Sequence, residues 1–262
     1  ANINEAARLA LFFGSKLVLI LVGEASEEKL NKFLAFLTPF KDQGLVFEVS
    51  FKSGDPVEVI LSTTNEKEVD LLIIGALKKE NFVKYYLGSI ARKVTRKATC
   101  SVLLLINPSK ERVSCSHIVV NGLKDPKTEE TVATAFFVGH KLGANKITVV
   151  EEISDEEVSV KVDDDKSLRK STIVKERLRL REEVRVKTIL GTIPGELTKD
   201  IKIKSQPIFG KRGYSIGHYA QVARADLLVM NAPRKMNFWD RLFPHDIEHI
   251  LTELPTDVLI VQ

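Results

Sequence analysis

The chain has little of what builds secreted, metal-bound or membrane-embedded scaffolds. Only two cysteines, Cys100 and Cys115, occur in 262 residues. Such a pair supports no disulfide framework, and reduced thiols of a cytosolic protein are the plain expectation. No CxxC pair or Cys/His zinc spacing occurs, so no metal is expected. The longest apolar runs, LVLILV (17–22) and SVLLLI (101–106), fall far short of the ~20 residues that a membrane span needs. No basic-then-apolar leader opens the sequence. A strong charge of one sign is also lacking. Lys and Arg number 39 against 35 Asp and Glu, and a net +4 gives little reason to expect a nucleic-acid partner. GxSxG, HExxH and Walker lysine motifs are missing, so nothing points to a nucleophile with its base, and an enzyme is not expected.

What is present suits two folded domains. Hydrophobic residues make up 44% and charges of both signs 28%, enough for two cores and unlike a disordered chain. The pattern repeats once. The first copy is assigned to 1–108, a linker to 109–116, and the second copy to 117–262. In the first, a helix over 2–14 precedes a buried strand at 16–23. A helix opening at Ser26 follows, with Leu30, Phe33, Leu34 and Leu37 on one face and an end near Pro39. Then come strand LVFEVSF, a helix with Asp55 as N-cap and Pro56 at its first position, strand DLLIIG, a loop, helix GSIARKVTRKA and strand CSVLLLI. The second copy repeats this order from strand HIVVN to strand DVLIVQ, with a charged insertion at about 152–199. That insertion reads as a solvated surface helix, although RLRLREEVRV also alternates like a strand.

Strands alternating with helices define an α/β fold with doubly wound parallel sheets. The second copy has five strands and the first only four. The partner of HIVVN, a central strand in this topology, is the one lacking. The expectation is that an upstream strand precedes residue 1 in the gene, or that another segment fills its place.

The stretches GDPVEVI, DLLIIGA and LGSIARKVTRKATCSVLLL resemble the universal stress protein family, whose fold is adenine nucleotide alpha hydrolase-like. The resemblance covers essentially the whole chain as a tandem. The family's ATP motif is Gly, two residues, Gly, nine residues, Gly, then Ser or Thr. Gly75, Gly88 and Ser89 match it here, and Lys78 holds the middle glycine's place. The resemblance thus implies an ATP phosphate site at Gly75, Lys78, Gly88 and Ser89. Gly75 would turn the chain sharply, Gly88 and Ser89 would open a helix whose free N–H groups favour phosphate, and Lys78 would either reach a phosphate or obstruct it. In the second copy the aligned positions are Asn231, Arg234, Pro244 and His245, and Pro244 removes a phosphate donor, so no nucleotide is expected there. The family's first-strand Asp falls near Gly122–Leu123 in this copy.

The resemblance further implies a non-catalytic regulatory or sensor module, cytoplasmic, with the two copies packed as an intramolecular pseudo-dimer through SVLLLI and DVLIVQ, and a homodimer as a further option. Tandem degenerate domains of this kind resemble the C-terminal cytoplasmic region of bacterial cation (sodium):proton antiporters. A transmembrane transporter domain in the same polypeptide is then the expected partner, at the cytoplasmic face of the inner membrane. The alternative is a freestanding cytoplasmic protein that binds ATP in its first domain.

Other candidates read as structural. Arg92, Lys93, Arg96 and Lys97 form one solvated helix face or, functionally, a surface for an acidic partner. His245 and His249 have a metal-compatible spacing but no third ligand. His140 and His218 are expected to be packed or half exposed. Phe238, Trp239, Leu242 and Phe243 read as a plug, with an exposed interface patch as the alternative.

Overall fold

The computed structural model describes residues 1–78, 85–106, 108–111, 113–210, 214–232 and 246–262. The chain divides into two compact units, residues 1–114 with Gln262 and residues 115–261.

In the first unit, α1 (Asn2–Phe13) ends at Gly14, whose φ of 65° is the left-handed conformation that favours glycine. β1 (Leu17–Val22) leads to α2 (Glu27–Lys41), where Ser26 Oγ accepts from the Lys29 N–H at 3.3 Å. α2 runs through Pro39 instead of stopping there. Pro39 stands in the last turn, so its missing N–H orphans only the carbonyl of Ala35, an exposed residue that water can satisfy. Of the apolar face, Leu37 is fully buried while Leu34 remains 37% exposed. β2 (Phe47–Lys52) runs parallel to β1, with Leu17 opposite Phe47. α3 (Pro56–Glu66) is capped as its sequence demands: Asp55 Oδ1 accepts from the N–H groups of Val57 and Glu58 at 2.9 and 3.1 Å. β3 (Leu71–Gly75), β4 (Leu77–Lys78), β5 (Tyr85–Tyr86), α4 (Ser89–Lys97) and β6 (Ser101–Leu105) follow. β3 pairs in parallel with β6, and β4 with β5 as a short antiparallel hairpin. Among the described residues, no strand joins the β1–β2 ladder to the β3–β6 ladder. Ala7, Ala10, Leu37 and Leu45 form a small core against β1 and β2.

The second unit comprises β7 (His117–Asn121), α5 (Thr128–Leu142), β8 (Lys146–Ser154), α6 (Asp155–Val158), α7 (Asp165–Leu190), α8 (Gly195–Thr198), β9 (Lys202–Gly210), α9 (Ser215–Val222), β10 (Leu227–Asn231), α10 (Asp246–Thr252) and β11 (Asp257–Val261). Its strands make one parallel sheet in the order β9-β8-β7-β10-β11. Strand order reverses between β7 and β10, which marks the crevice at their carboxyl ends as the place where such sheets bind ligands. All five residues of β7 are buried.

The charged segment departs from its expected form. Its first three residues extend β8, whose pairing with β9 continues to Ser154 opposite Gly210. The alternating RLRLREEVRV is helical within α7, and that helix is not merely a solvated surface. Glu182, Val186 and Ile189 are buried along one face. Asp164 and Ser167 form a reciprocal capping box at its start.

Candidate functional site

In the first unit the expected phosphate loop joins the end of β3 to the start of α4. Gly75 is needed for close approach, not for a turn: a Cβ there would lie 2.5 Å from Asn2 Nδ2. Gly88 is the N-cap of α4 with φ −62°, and a Cβ there would meet Leu77 Cδ1 at 3.1 Å. The loop is not an open cradle, because the β4–β5 hairpin places Leu77 over Gly88. Ser89 opens α4 and is exposed, and no acid stands in the first turn of that helix. Lys78 lies in β4 opposite Tyr85, and residues 79–84 lie outside the described residues. α4 turns Val94 and Thr95 inward and leaves Lys93, Arg96 and Lys97 exposed, with Arg92 half-buried.

In the second unit the corresponding loop, after β10, lies largely outside the described residues, but the end of β7 is described. Asn121 ends β7, and a Cβ on Gly122 would press on Val149 and on the Val150 carbonyl of β8, so only glycine fits. The carbonyls of Gly122 and Leu123 accept hydrogen bonds from the Arg185 guanidinium of α7. Arg185 also contacts two buried carboxylates. Its Nη2 lies 2.6 Å from Glu151 Oε1 and its Nε donates to Glu182 Oε2 at 2.8 Å. Asn231, at the end of β10, reaches Thr128 Oγ1 at 3.4 Å. The aligned Arg234, Pro244 and His245, and the cluster of Phe238, Trp239, Leu242 and Phe243, lie outside the described residues.

Glu151 and Glu182 are buried beside Arg185, at 5% and 2% exposure, and Glu152, next to Glu151 on β8, is also buried, at 2%. Glu152 Oε1 accepts from the Ile216 N–H at the start of α9 at 2.7 Å. Burial, reinforced by the adjoining Glu182, pushes the Glu151 carboxyl up to about 8 against the pull of Arg185. Burial also acts against charge on Glu182, but hydrogen bonds from Glu151, Arg185 and Arg181 outweigh it and hold that group below its ordinary value. The two carboxyls therefore share one proton near neutrality, carried by Glu151.

Other groups are structural. His117 is buried with its Nδ1 3.3 Å from the Ala223 carbonyl and its Nε2 3.0 Å from Thr148 Oγ1, an arrangement for a neutral ring donating from Nδ1. Burial, then Lys146, lowers its pKa accordingly. Nothing in its sequence setting singled it out. His140 and His218, expected to be packed or half exposed, are both exposed, because their helices turn other residues inward. Both thiols are free, and burial pushes Cys100 up and Cys115 to about 12, which leaves them unreactive. Among the described residues, no group of three or more His, Cys, Asp or Glu is placed to hold a metal, and no helix is long and apolar enough to cross a membrane.

Residues 19–105 match a family model described as the Universal stress protein family. A universal stress protein of Methanocaldococcus jannaschii is 28% identical over 96 residues, covering 37% of this chain and 55% of that one. One of Bacillus subtilis is 31% identical over 64 residues, covering 24% and 43%. The chain thus spans about half the length of the curated relatives it matches. Among solved structures, a functionally unknown protein of Pseudomonas aeruginosa superposes with TM-score 0.70 at 16% identity, covering 97% of this chain and 85% of that one. A universal stress protein of Archaeoglobus fulgidus superposes with TM-score 0.62 at 17% identity, covering 99% and 92%. These likenesses show a shared α/β fold with parallel sheets.

Proposed function

Taking residues 19–105 as a universal stress protein domain, we propose that the chain is a non-catalytic binding and regulatory module whose first unit holds the phosphates of ATP at the amino end of α4. The observation that carries this reading is the composition of that helix end. Gly88 as N-cap brings no side chain, no acid occupies the first turn, and Ser89 adds a hydroxyl donor. The exposed N–H end of a helix carries partial positive charge, and a phosphate is the natural complement. Gly75 lies at the other end of the same loop, and the Asn2 side chain packed against it would have to move aside for a triphosphate to approach as the family motif implies. No ATP role is assigned to the second unit, where Arg185 already engages the carbonyls after β7.

The same role serves either polypeptide context, a freestanding cytoplasmic protein or the regulatory tail of a cation:proton antiporter. In both, this chain binds and signals while any transport lies elsewhere.

Calorimetric titration of the whole chain with ATP tests the reading. Gly88→Asp is the control, because aspartate caps helices well and repels phosphate. Saturable heat in the wild-type protein that disappears in G88D, with the melting temperature kept or raised, is the expected result. No heat at millimolar ATP, or equal heat in both proteins, would overturn it.

A further inference from the structure

We propose that the outward face of α7 docks on an anionic lipid surface. This inference lies in the second unit and is independent of the ATP reading. α7 packs on α5, α6, β8 and β9 through one face, where Ser171, Glu182, Val186 and Ile189 are buried. One apolar face is all that a helix needs in order to dock on its own domain. α7 has a second. Ile173, Leu180 and Val184 stand seven and four residues apart, a spacing that puts them in one stripe on the outer side. They are 53%, 50% and 65% exposed. The stripe adds little to the core and runs about 16 Å along the helix.

The charges around the stripe leave one sign over. Its acids, Glu176 and Glu183, are both engaged by Arg179, whose Nε lies 3.7 and 3.3 Å from them. Glu182 is buried and paired with Arg181 and Arg185. Lys166, Arg169, Lys170, Arg177 and Lys187 are exposed, and their side chains make no ion pair or hydrogen bond among the described residues. Asp165 is the one acid of the helix without a cation among those residues. Such an excess calls for an anionic partner. That partner must also accept an apolar ridge. Glu176 and Arg177, which flank the stripe on its two sides, are exposed as well, so the face is convex and offers no groove to a peptide. A bilayer interface supplies both requirements at once. Its acidic headgroups meet the cations, and its acyl chains close around the ridge while α7 lies in the headgroup plane.

The test is flotation of the whole chain with vesicles of phosphatidylcholine carrying about one third phosphatidylglycerol. Pure phosphatidylcholine vesicles and poly-glutamate beads run alongside. The chain is expected to float with the anionic vesicles alone. Arg169→Gln combined with Arg177→Gln should cut the vesicle partition coefficient by on the order of tenfold, and Leu180→Ser by about fivefold. Both variants change exposed positions, and circular dichroism melts confirm that they are folded. No flotation with anionic vesicles, or equal flotation with neutral ones, would overturn the proposal. So would unchanged partition of the arginine variant, as the exposed Lys93, Arg96 and Lys97 of α4 would give if they acted instead. Unchanged partition of the serine variant, which keeps every charge, would reduce the face to charge attraction and overturn its docking. Retention on poly-glutamate without flotation would assign the face to an acidic protein and overturn the lipid reading.

Discussion

β1 and β3 of the first unit are as apolar as any strand of the second, yet none of their residues is fully buried. β7 is buried at all five positions, and β10 at all but its last. The difference is the neighbour. β7 pairs with β8 on one side and β10 on the other, whereas β1 and β3 each pair with one described strand. Apolar composition makes burial favourable, but a ladder on both sides is what completes it. The units differ likewise in their ion pairs. Most of those described in the first are surface pairs, such as Lys16 with Glu48 at 2.7 Å, the half-buried Arg8–Glu5 pair apart. The second buries a charged knot around Arg185.

Three measurements bear on this contrast. The largest effect is expected at the knot. Arg185→Leu strands Glu151 and Glu182 without their cation, and breaking a buried pair this way costs about 3–5 kcal/mol. Lys16→Leu in the first unit should cost under about 1 kcal/mol, because exposed pairs are worth little. Chemical denaturation followed by hydrogen exchange would assign each loss to its unit, and equal losses would erase the contrast. Next come the strands. Ile118→Ala, at a fully buried site, should cost about 2–5 kcal/mol. Leu19→Ala in half-buried β1 should cost about 1 kcal/mol, as part of its surface already meets water. A Leu19 cost as large as that of Ile118 would mean that β1 is closed on both sides in solution.

The remaining effect is the pH dependence. Glu151 is raised from 4.5 to about 8 in the folded chain. A raised carboxyl contributes stability that is whole below its unfolded value and lost as pH rises through the folded one. The second unit should therefore melt at lower temperature at pH 8.5 than at pH 5.5, measured by calorimetric scans, and Glu151→Gln should flatten the trend. A flat trend over that window in the unaltered protein would mean that Glu151 is already ionised.

Much of the fold was legible because its signals are local. Asp55 followed by Pro56 specifies a helix start within three residues, and the structure places the cap there. Apolar runs bounded by Gly or Asp mark the strands. The misses needed distant partners. Gly75 is glycine because Asn2 lies against it, a contact 73 positions away that no turn signal encodes. The hairpin over Gly88 joins pairs too short to have a period. The sequence of α7 reads as a surface helix because its charges dominate, and the partners of Arg185 are Gly122, Leu123 and Glu151, far away along the chain. Of the candidate phosphate site, the residue types and their order were visible from the resemblance, while the crowding by Leu77 was not.

Arg185 has a further consequence for how the molecule responds. It is a ligand that cannot be washed away, since the polypeptide itself holds it at a high local concentration. Any free molecule seeking the carbonyls after β7 competes against that standing occupant, and dilution does not help it. The second unit is therefore deaf to modest changes in the level of such a solute. Clearing those carbonyls requires moving Arg185, and so working against the hold of α7.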